Sequence, residues 1–296
     1  MKTIFTSLCV LLLMLASFTA GMQFPRGDVD QNGDVNIGDV VTLIDYLLTG
    51  TWPEVTIDPI QTFTVDSVSF KMVTVEGGSF TMGATDEQGA DAYDWEKPVH
   101  EVTLSDYSIG QTEVTQELWI AVMGSNPSYY VDPLHPVERV SWTDCQTFIA
   151  RLNELTGENF RLPTEAEWEF AARGGNLSMG YKYSGGNDIN AVGWYWGNIP
   201  SHYSGTTGYG TQQVASLLPN ELGLFDMTGN VWEWCQDWYG GYSSDEQTDP
   251  AGPSWGSYRI FRGGSWSRSA ESCRVSYRNF NYPSSSDDSM GLRLAL

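Results

Sequence analysis

Basic residues are scarce in this chain. Lys and Arg number 15 against 37 Asp and Glu, a formal net charge of −22 over 296 residues. A surface of that sign repels phosphate backbones, which excludes nucleic acid as a partner and suits cations. It also keeps an exported protein soluble. Histidine is scarcer still: His100, His135 and His202 lie far apart, with no short His/Glu spacing. A clustered-histidine metal site is therefore not expected, and each is read as a surface or core residue. No Ser/His/Asp set, phosphate-binding loop or zinc-ligand pattern is present. Long helical periods are few. Beyond the first twenty residues no segment is apolar enough to span a membrane. What is abundant is glycine (31), tryptophan (12) and tyrosine (15), the composition of an irregular, loop-rich, aromatic-packed α+β domain.

The first apolar run has the form of a secretory signal. Lys2 precedes Ile4 to Phe18, and the small residues Ala20 and Gly21 follow; residues 1–21 are expected to be removed on export, and Cys9 with them. The mature chain keeps Cys145, Cys235 and Cys273, an odd count for an oxidising compartment. Residues 22–50 open with Asp28, Asp30, Asn32, Asn36 and Asp39 at the spacing of an EF-hand loop. Gly33 stands at the sharp turn and the Asp34 carbonyl is available as a further ligand, so calcium is expected here. Val40, Val41, Leu43, Ile44, Leu47 and Leu48 follow at helical spacing up to Gly50. Loop and helix resemble one repeat of a dockerin, which implies a cohesin-like scaffold as partner. No second repeat is found, and a calcium-stiffened cap on the main domain is the alternative. Residues 51–64, with Pro53 and Pro59, read as a linker.

From 65 to 296 one domain is expected. Lys71–Val75 alternates and leads through Gly77-Gly78 to Met82-Gly83, a strand–turn–strand pattern. Val102–Leu104 and Tyr107–Ile109 read as further strands. Three helices are predicted. One enters at Thr115. A second runs from Ser141 to Leu155, with Cys145, Phe148, Ile149, Leu152 and Leu155 on its apolar stripe and Gly157 as its stop. A third is capped by Thr164 with Glu167 at N3 and ended by Gly174-Gly175. On the second helix Cys145 points inward as a packing residue. Glu165, Glu167 and Glu169 sit where acids complement a helix dipole, and no catalytic role is assigned to them.

Three stretches carry a family resemblance: Arg161-Leu162-Pro163-Thr164-Glu165-Ala166-Glu167-Trp168-Glu169, Gly229-Asn230-Val231-Trp232-Glu233-Trp234, and Arg262-Gly263-Gly264-Ser265-Trp266. Met82-Gly83, Glu113-Val114-Thr115, Val140-Ser141-Trp142 and Gly223-Leu224-Phe225-Asp226 add to it. Together they resemble the formylglycine-generating enzyme, or sulfatase-modifying-factor, family. The resemblance implies a C-type-lectin-like domain poor in regular structure. It also implies calcium held by the side chains of Asp226 and Glu233 and the carbonyls of Gly229 and Val231, a set of hard oxygen donors. A second family calcium site falls at Asn198 and Ile199, but the downstream acid is replaced by Thr207, so this site is expected to be weak or empty.

Catalytic members of the family use two cysteines, five apart, after the Gly-Gly-Ser to bind copper and oxidise a sulfatase cysteine. Here only Cys273 follows. Aligned forward from Gly263, an arginine stands at the first cysteine position and Cys273 at the second; aligned backward from Arg278 and Gly291, Cys273 stands at neither. One thiol cannot make a two-sulfur Cu(I) site, so copper is not expected. Cys273 is expected instead in a disulfide with Cys235. Three functions follow. The first is a secreted, non-catalytic module binding a protein or glycan, with Tyr277, Asn279, Phe280 and Tyr282 among the loop residues suited to recognition. The second is an oxidase of the family's kind, with Cys273 its catalytic residue. The third is a component of a surface complex. The run from Tyr277 to Ser289 also resembles the variable region of lectin-fold proteins diversified by retroelements; ordinary family sequence is the alternative reading.

Overall fold

The computed structural model describes residues 60–296. The expected signal peptide, the calcium loop from Asp28 to Asp39 with its helix, and residues 51–59 of the linker lie outside the described residues. The first described residues, at the end of the segment read as linker, form a strand. Strand β1 (Ile60–Val65) pairs antiparallel with β2 (Val68–Val75), Ile60 opposite Val73. Asp66 and Ser67 close the hairpin with φ of 47° and 73°, the left-handed pair that a two-residue loop between twisted strands requires. The strand was hidden in the sequence because it buries little: only Val65 is fully covered, while Phe63 stacks on Phe70 and edges onto Phe160.

β3 (Gly78–Met82), β4 (His100–Leu104) and β5 (Tyr107–Gly110) follow, where the alternation placed strands. Three helices then form at the predicted caps. α1 (Gln116–Met123) is capped by the Thr115 hydroxyl. α2 (Trp142–Thr156) has a Ser141–Asp144 capping box and Gly157 in the left-handed conformation past its end. α3 (Glu165–Ala172) has a Thr164–Glu167 box. On α2, Cys145, Phe148, Ile149 and Leu152 are buried as expected, but Leu155 is exposed, because the last turn runs past the core. A single turn, α4 (Ile189–Val192), precedes the C-terminal strands β6 (Trp232–Trp238), β7 (Gln247–Thr248), β8 (Arg259–Arg262), β9 (Arg278–Asn281) and β10 (Met290–Gly291).

These strands make three small sheets, ordered β1-β2-β5, β3-β4-β7 and β10-β6-β8-β9. Most neighbours are antiparallel; β4–β7 and β10–β6 are parallel. Between the sheets lie two aromatic-rich cores. One gathers Trp119, Phe148, Trp232, Trp234 and Phe261; the other gathers Trp168, Phe170, Tyr107 and Met227. The segment after β10 runs into the interior without forming a regular strand. Gly110 N donates to Leu294 O, Val114 N to Leu292 O, and Arg161 and Ala295 exchange both backbone bonds.

All three described cysteines are free and buried. The expected Cys235–Cys273 bridge is not formed. Cys235 packs with Trp168 and Val275, whereas Cys273 packs with Tyr183, Ile189 and Val192, so the two thiols occupy separate clusters. Cys235 Sγ faces the Glu233 carbonyl, and Cys273 Sγ faces that of Ser269.

Candidate functional site

The segment Asp226–Glu233 leads into β6 and carries four of the sequence-predicted ligands. Its backbone is forced into shape: Asp226 and Asn230 have φ of 58° and 57°, and Gly229 of 84°. A Cβ on Gly229 would lie 2.0 Å from the Trp194 carbonyl, which explains why glycine stands there. Asn230 tolerates its left-handed conformation and is held by Glu113, which accepts from Asn230 Nδ2 at 2.8 Å and from Val231 N at 3.0 Å.

Three carboxylates, Glu113, Asp226 and Glu233, are buried around a single guanidinium, Arg293. Burial, then repulsion by Asp226 and Glu233, pushes the Glu113 carboxyl well above its ordinary range. Burial raises Asp226 to about 6. Asp226 Oδ2 accepts from Ala215 N at 2.7 Å, while Oδ1 is buried with no hydrogen-bond partner. An orphaned carboxylate oxygen in a region with surplus negative charge fits a hard cation. The Gly229 and Val231 carbonyls fit as well, since no backbone hydrogen bond among the described residues ends on either. Glu233 fits less well. Arg293 Nη2 donates to its Oε1 at 2.7 Å, and Arg293 Nε (2.9 Å) and Trp168 Nε1 (2.6 Å) donate to its Oε2, so it serves Arg293 as counter-ion. Among the described residues no three His, Cys, Asp or Glu side chains group to hold a metal, so a cation here depends on backbone oxygen. At the second expected position, Asn198 spends its side chain on its own turn, accepting from Tyr195 N and donating to Gly193 O.

The acids of α3, read from sequence as helix-start residues, are interior ion-pair partners. Arg278 grips Glu165 through Nε (2.7 Å) and Nη2 (2.6 Å), Arg262 reaches Glu169 at 2.5 Å, and Arg161 forks onto Glu167. The carboxylates beside Arg262 and Arg278 hold both guanidiniums protonated against the cost of burial. The signal was present in the sequence: three acids on a short helix whose other residues are Ala, Trp and Phe have no solvent face to occupy. Of the histidines, His100 is buried and tilted against Tyr242, His135 contacts Thr211, and His202 stacks on Trp196.

Burial raises the Cys273 thiol to about 12, and neither of the other described cysteines shares its cluster. The four residues expected in recognition divide between two patches. Tyr277 lies against Trp232 and edges onto Tyr93, which stacks on Trp95 at 4.3 Å with both rings exposed; Asn279 follows two residues along β9. Phe280 sits between Tyr239 (4.0 Å) and Tyr258 (5.1 Å), and Tyr282 pairs with Tyr258. Tyr277 lies just before β9 and shares no ring partner with Phe280. Tyr93 and Trp95 were not singled out in the sequence, because a turn of 3-10 helix (Asp94–Glu96) offers no period to read.

Residues 60–296 match the sulfatase-modifying factor enzyme 1-like domain. The chain belongs to that family. It is 34% identical over 253 residues to chaperone protein LppX of Paenibacillus barcinonensis, covering 71% of this chain and 84% of the relative. It is 32% identical over 285 residues to the formylglycine-generating enzyme of Streptomyces coelicolor, covering 75% of this chain and 88% of the enzyme. Among solved structures, Treponema denticola variable protein 1 superposes with a TM-score of 0.69 at 34% identity, over 80% of this chain and 98% of that one. The fold is therefore the irregular, C-type-lectin-like α+β domain of the family. Its relatives include an enzyme, a chaperone and a variable protein, so family membership alone does not fix the activity.

Proposed function

We propose that this family member is a secreted, non-catalytic binding module, stabilised by calcium, whose ligand is a protein or glycan. One observation carries the reading: the single cysteine after Gly-Gly-Ser is a buried packing residue with its thiol raised to about 12. The recognition surface is the exposed aromatic patch of Tyr93, Trp95 and Tyr277, flanked by Asn279; planar rings of this kind stack on sugars or anchor a protein ligand. Phe280 and Tyr282, with Tyr239 and Tyr258, form a second aromatic surface. Calcium is assigned to Asp226 with the Gly229 and Val231 carbonyls, Glu233 supporting from behind Arg293, and to the N-terminal loop at Asp28–Asp39. That loop with its helix is the proposed tether to a cohesin-like scaffold.

The test is a peptide oxidation assay with copper-loaded mature protein, a Cys-x-Pro-x-Arg peptide and an active family enzyme as control. No conversion to the aldehyde is expected; conversion would establish the oxidase instead. Screening against glycans and surface proteins with Trp95→Ala as the control then assigns the ligand. The likeness to a variable protein favours a second reading, in which the exposed residues between Tyr277 and Ser289 are diversified. A near-repeat of the coding segment close to the gene would support it.

A further inference from the structure

A cleft of about 410 Å³ opens between the start of α3, the end of β6 and the loop that carries β7. Its walls include Met82, Ala166, Ile260 and Pro253, and Asp237 lies at its base, 4% exposed. Asp237 Oδ2 accepts from Glu165 N at 2.8 Å. Oδ1 has no hydrogen-bond partner among the described residues. Among the described residues no cation forms an ion pair with this carboxyl. Arg278 also lines the cleft but is committed to Glu165 and to the Gly240 carbonyl. Arg262 is bound to Glu165 and Glu169. Arg259 is sandwiched between Trp142 and Trp238, its Nη1 on the Gln236 carbonyl.

A buried acid with a free oxygen, lining a cleft that also presents the apolar side chains of Met82, Ile260 and Pro253, selects its ligand by charge and shape. An anion would meet Asp237 and, at the rim, Asp245, with Arg278 already neutralised. A calcium ion wants six to eight oxygens, and among the described residues no three His, Cys, Asp or Glu side chains group to hold a metal. A primary ammonium brings three donors and one positive charge, and an aliphatic stem would lie along Met82, Ile260 and Pro253. We propose that this cleft is a binding site for a small primary alkylamine, its ammonium paired with Asp237 and its stem on the apolar wall.

The proposal stands independently of the aromatic recognition surface. Burial, then repulsion by Glu165, raises the Asp237 carboxyl to about 7; Glu167 adds to the rise and Arg278 opposes it. Arg161, Arg259 and Cys235 also lie within its field, and His100, Tyr242 and Asp245 face the same cleft. An incoming ammonium pairs with the ionised carboxylate, so at neutral pH the fraction of Asp237 still protonated gives its proton to solvent on binding. Affinity therefore rises as pH increases through about 7.

The experiment is calorimetric titration of the mature protein with n-pentylamine, and with n-pentanol as neutral counterpart, in phosphate and in MOPS at pH 7. Saturable amine binding is expected, with a heat that differs between buffers by the proton released and with no matching binding of the alcohol. Asp237→Asn retains an acceptor for Glu165 N and should weaken the amine by about tenfold or more. Ala251→Trp, on the exposed loop, fills the cleft and should abolish binding even if the Asp237 variant does not fold. Equal binding of amine and alcohol, unchanged affinity in both variants, or no saturable amine binding overturns the proposal.

Discussion

Replacing Asp226 by Asn should make the calcium-free protein more stable. The ordinary carboxyl value is 3.8 and burial raises Asp226 to about 6, so the folded chain holds this proton more tightly than the unfolded chain. Stability contributed by the protonated group is present at low pH and is lost as pH rises from about 4 to about 6. At about 1.4 kcal/mol per tenfold change in the protonation equilibrium, ionised Asp226 costs the folded state about 3 kcal/mol at neutral pH. Asn removes that cost, keeps an acceptor for Ala215 N and tolerates a φ of 58° better than most residues. Calcium offsets the same charge, so its benefit should grow as pH rises through about 6 and should shrink in the variant. The assay is thermal unfolding of both proteins from pH 5 to 8, in chelator and in calcium. In chelator at pH 7.5 the variant should melt about 6–12 °C higher. In calcium the gap should narrow or reverse. A variant that melts at or below the parent in chelator, or gains as much from calcium as the parent does, refutes the reasoning. The N-terminal loop is common to both proteins and cancels in the comparison.

Thiol titration of the mature protein should find no reactive cysteine in the native state and three after denaturation without reductant; a count of one would establish the disulfide. Arg262→Ala takes one of two guanidiniums from each of Glu165 and Glu169, which keep Arg278 and Arg173, so in urea unfolding it should cost less than the about 3–5 kcal/mol of a fully broken buried pair. Gly264→Ala, at φ 80° with its new Cβ 2.4 Å from Cys273 Sγ, should lose about 2 kcal/mol or more, part of it recovered in the double variant with Cys273→Ala. Thr164→Ala removes the cap of α3 and should cost about 1 kcal/mol, read by the same unfolding midpoint.

What the sequence made legible was local or collective. Caps at Thr115, Ser141 and Thr164 announce helices because a hydroxyl satisfies a backbone donor only at a helix start. The family motifs carry the domain as a whole. What stayed hidden depends on long-range partners. Glu165 and Arg278 are 113 residues apart, and no period links them. The family resemblance implies a calcium ligand at Glu233, but its commitment to Arg293 follows from where residues 292–296 pass. The Cys235–Cys273 pairing was drawn from count and compartment, which do not say that the two thiols lie in different clusters. β1 escaped because a strand with one covered side chain shows almost no alternation.

The interior path of residues 292–296 has a consequence for the order of assembly. Ser108 and Leu296 exchange backbone hydrogen bonds, Gly110 and Val114 donate to Leu294 and Leu292, and Arg293 supplies the charge that the three carboxylates surround. A ribosome that has made residues 60–290 has therefore made a chain in which β5 lacks this neighbour and Glu113, Asp226 and Glu233 lack Arg293. Until those last residues emerge, the nascent domain holds unpaired strand edge and uncompensated charge, the condition in which chains aggregate or are bound by chaperones. Closure is late and all at once. A cut a few residues before 296 should yield a chain that fails to fold rather than a slightly weaker domain.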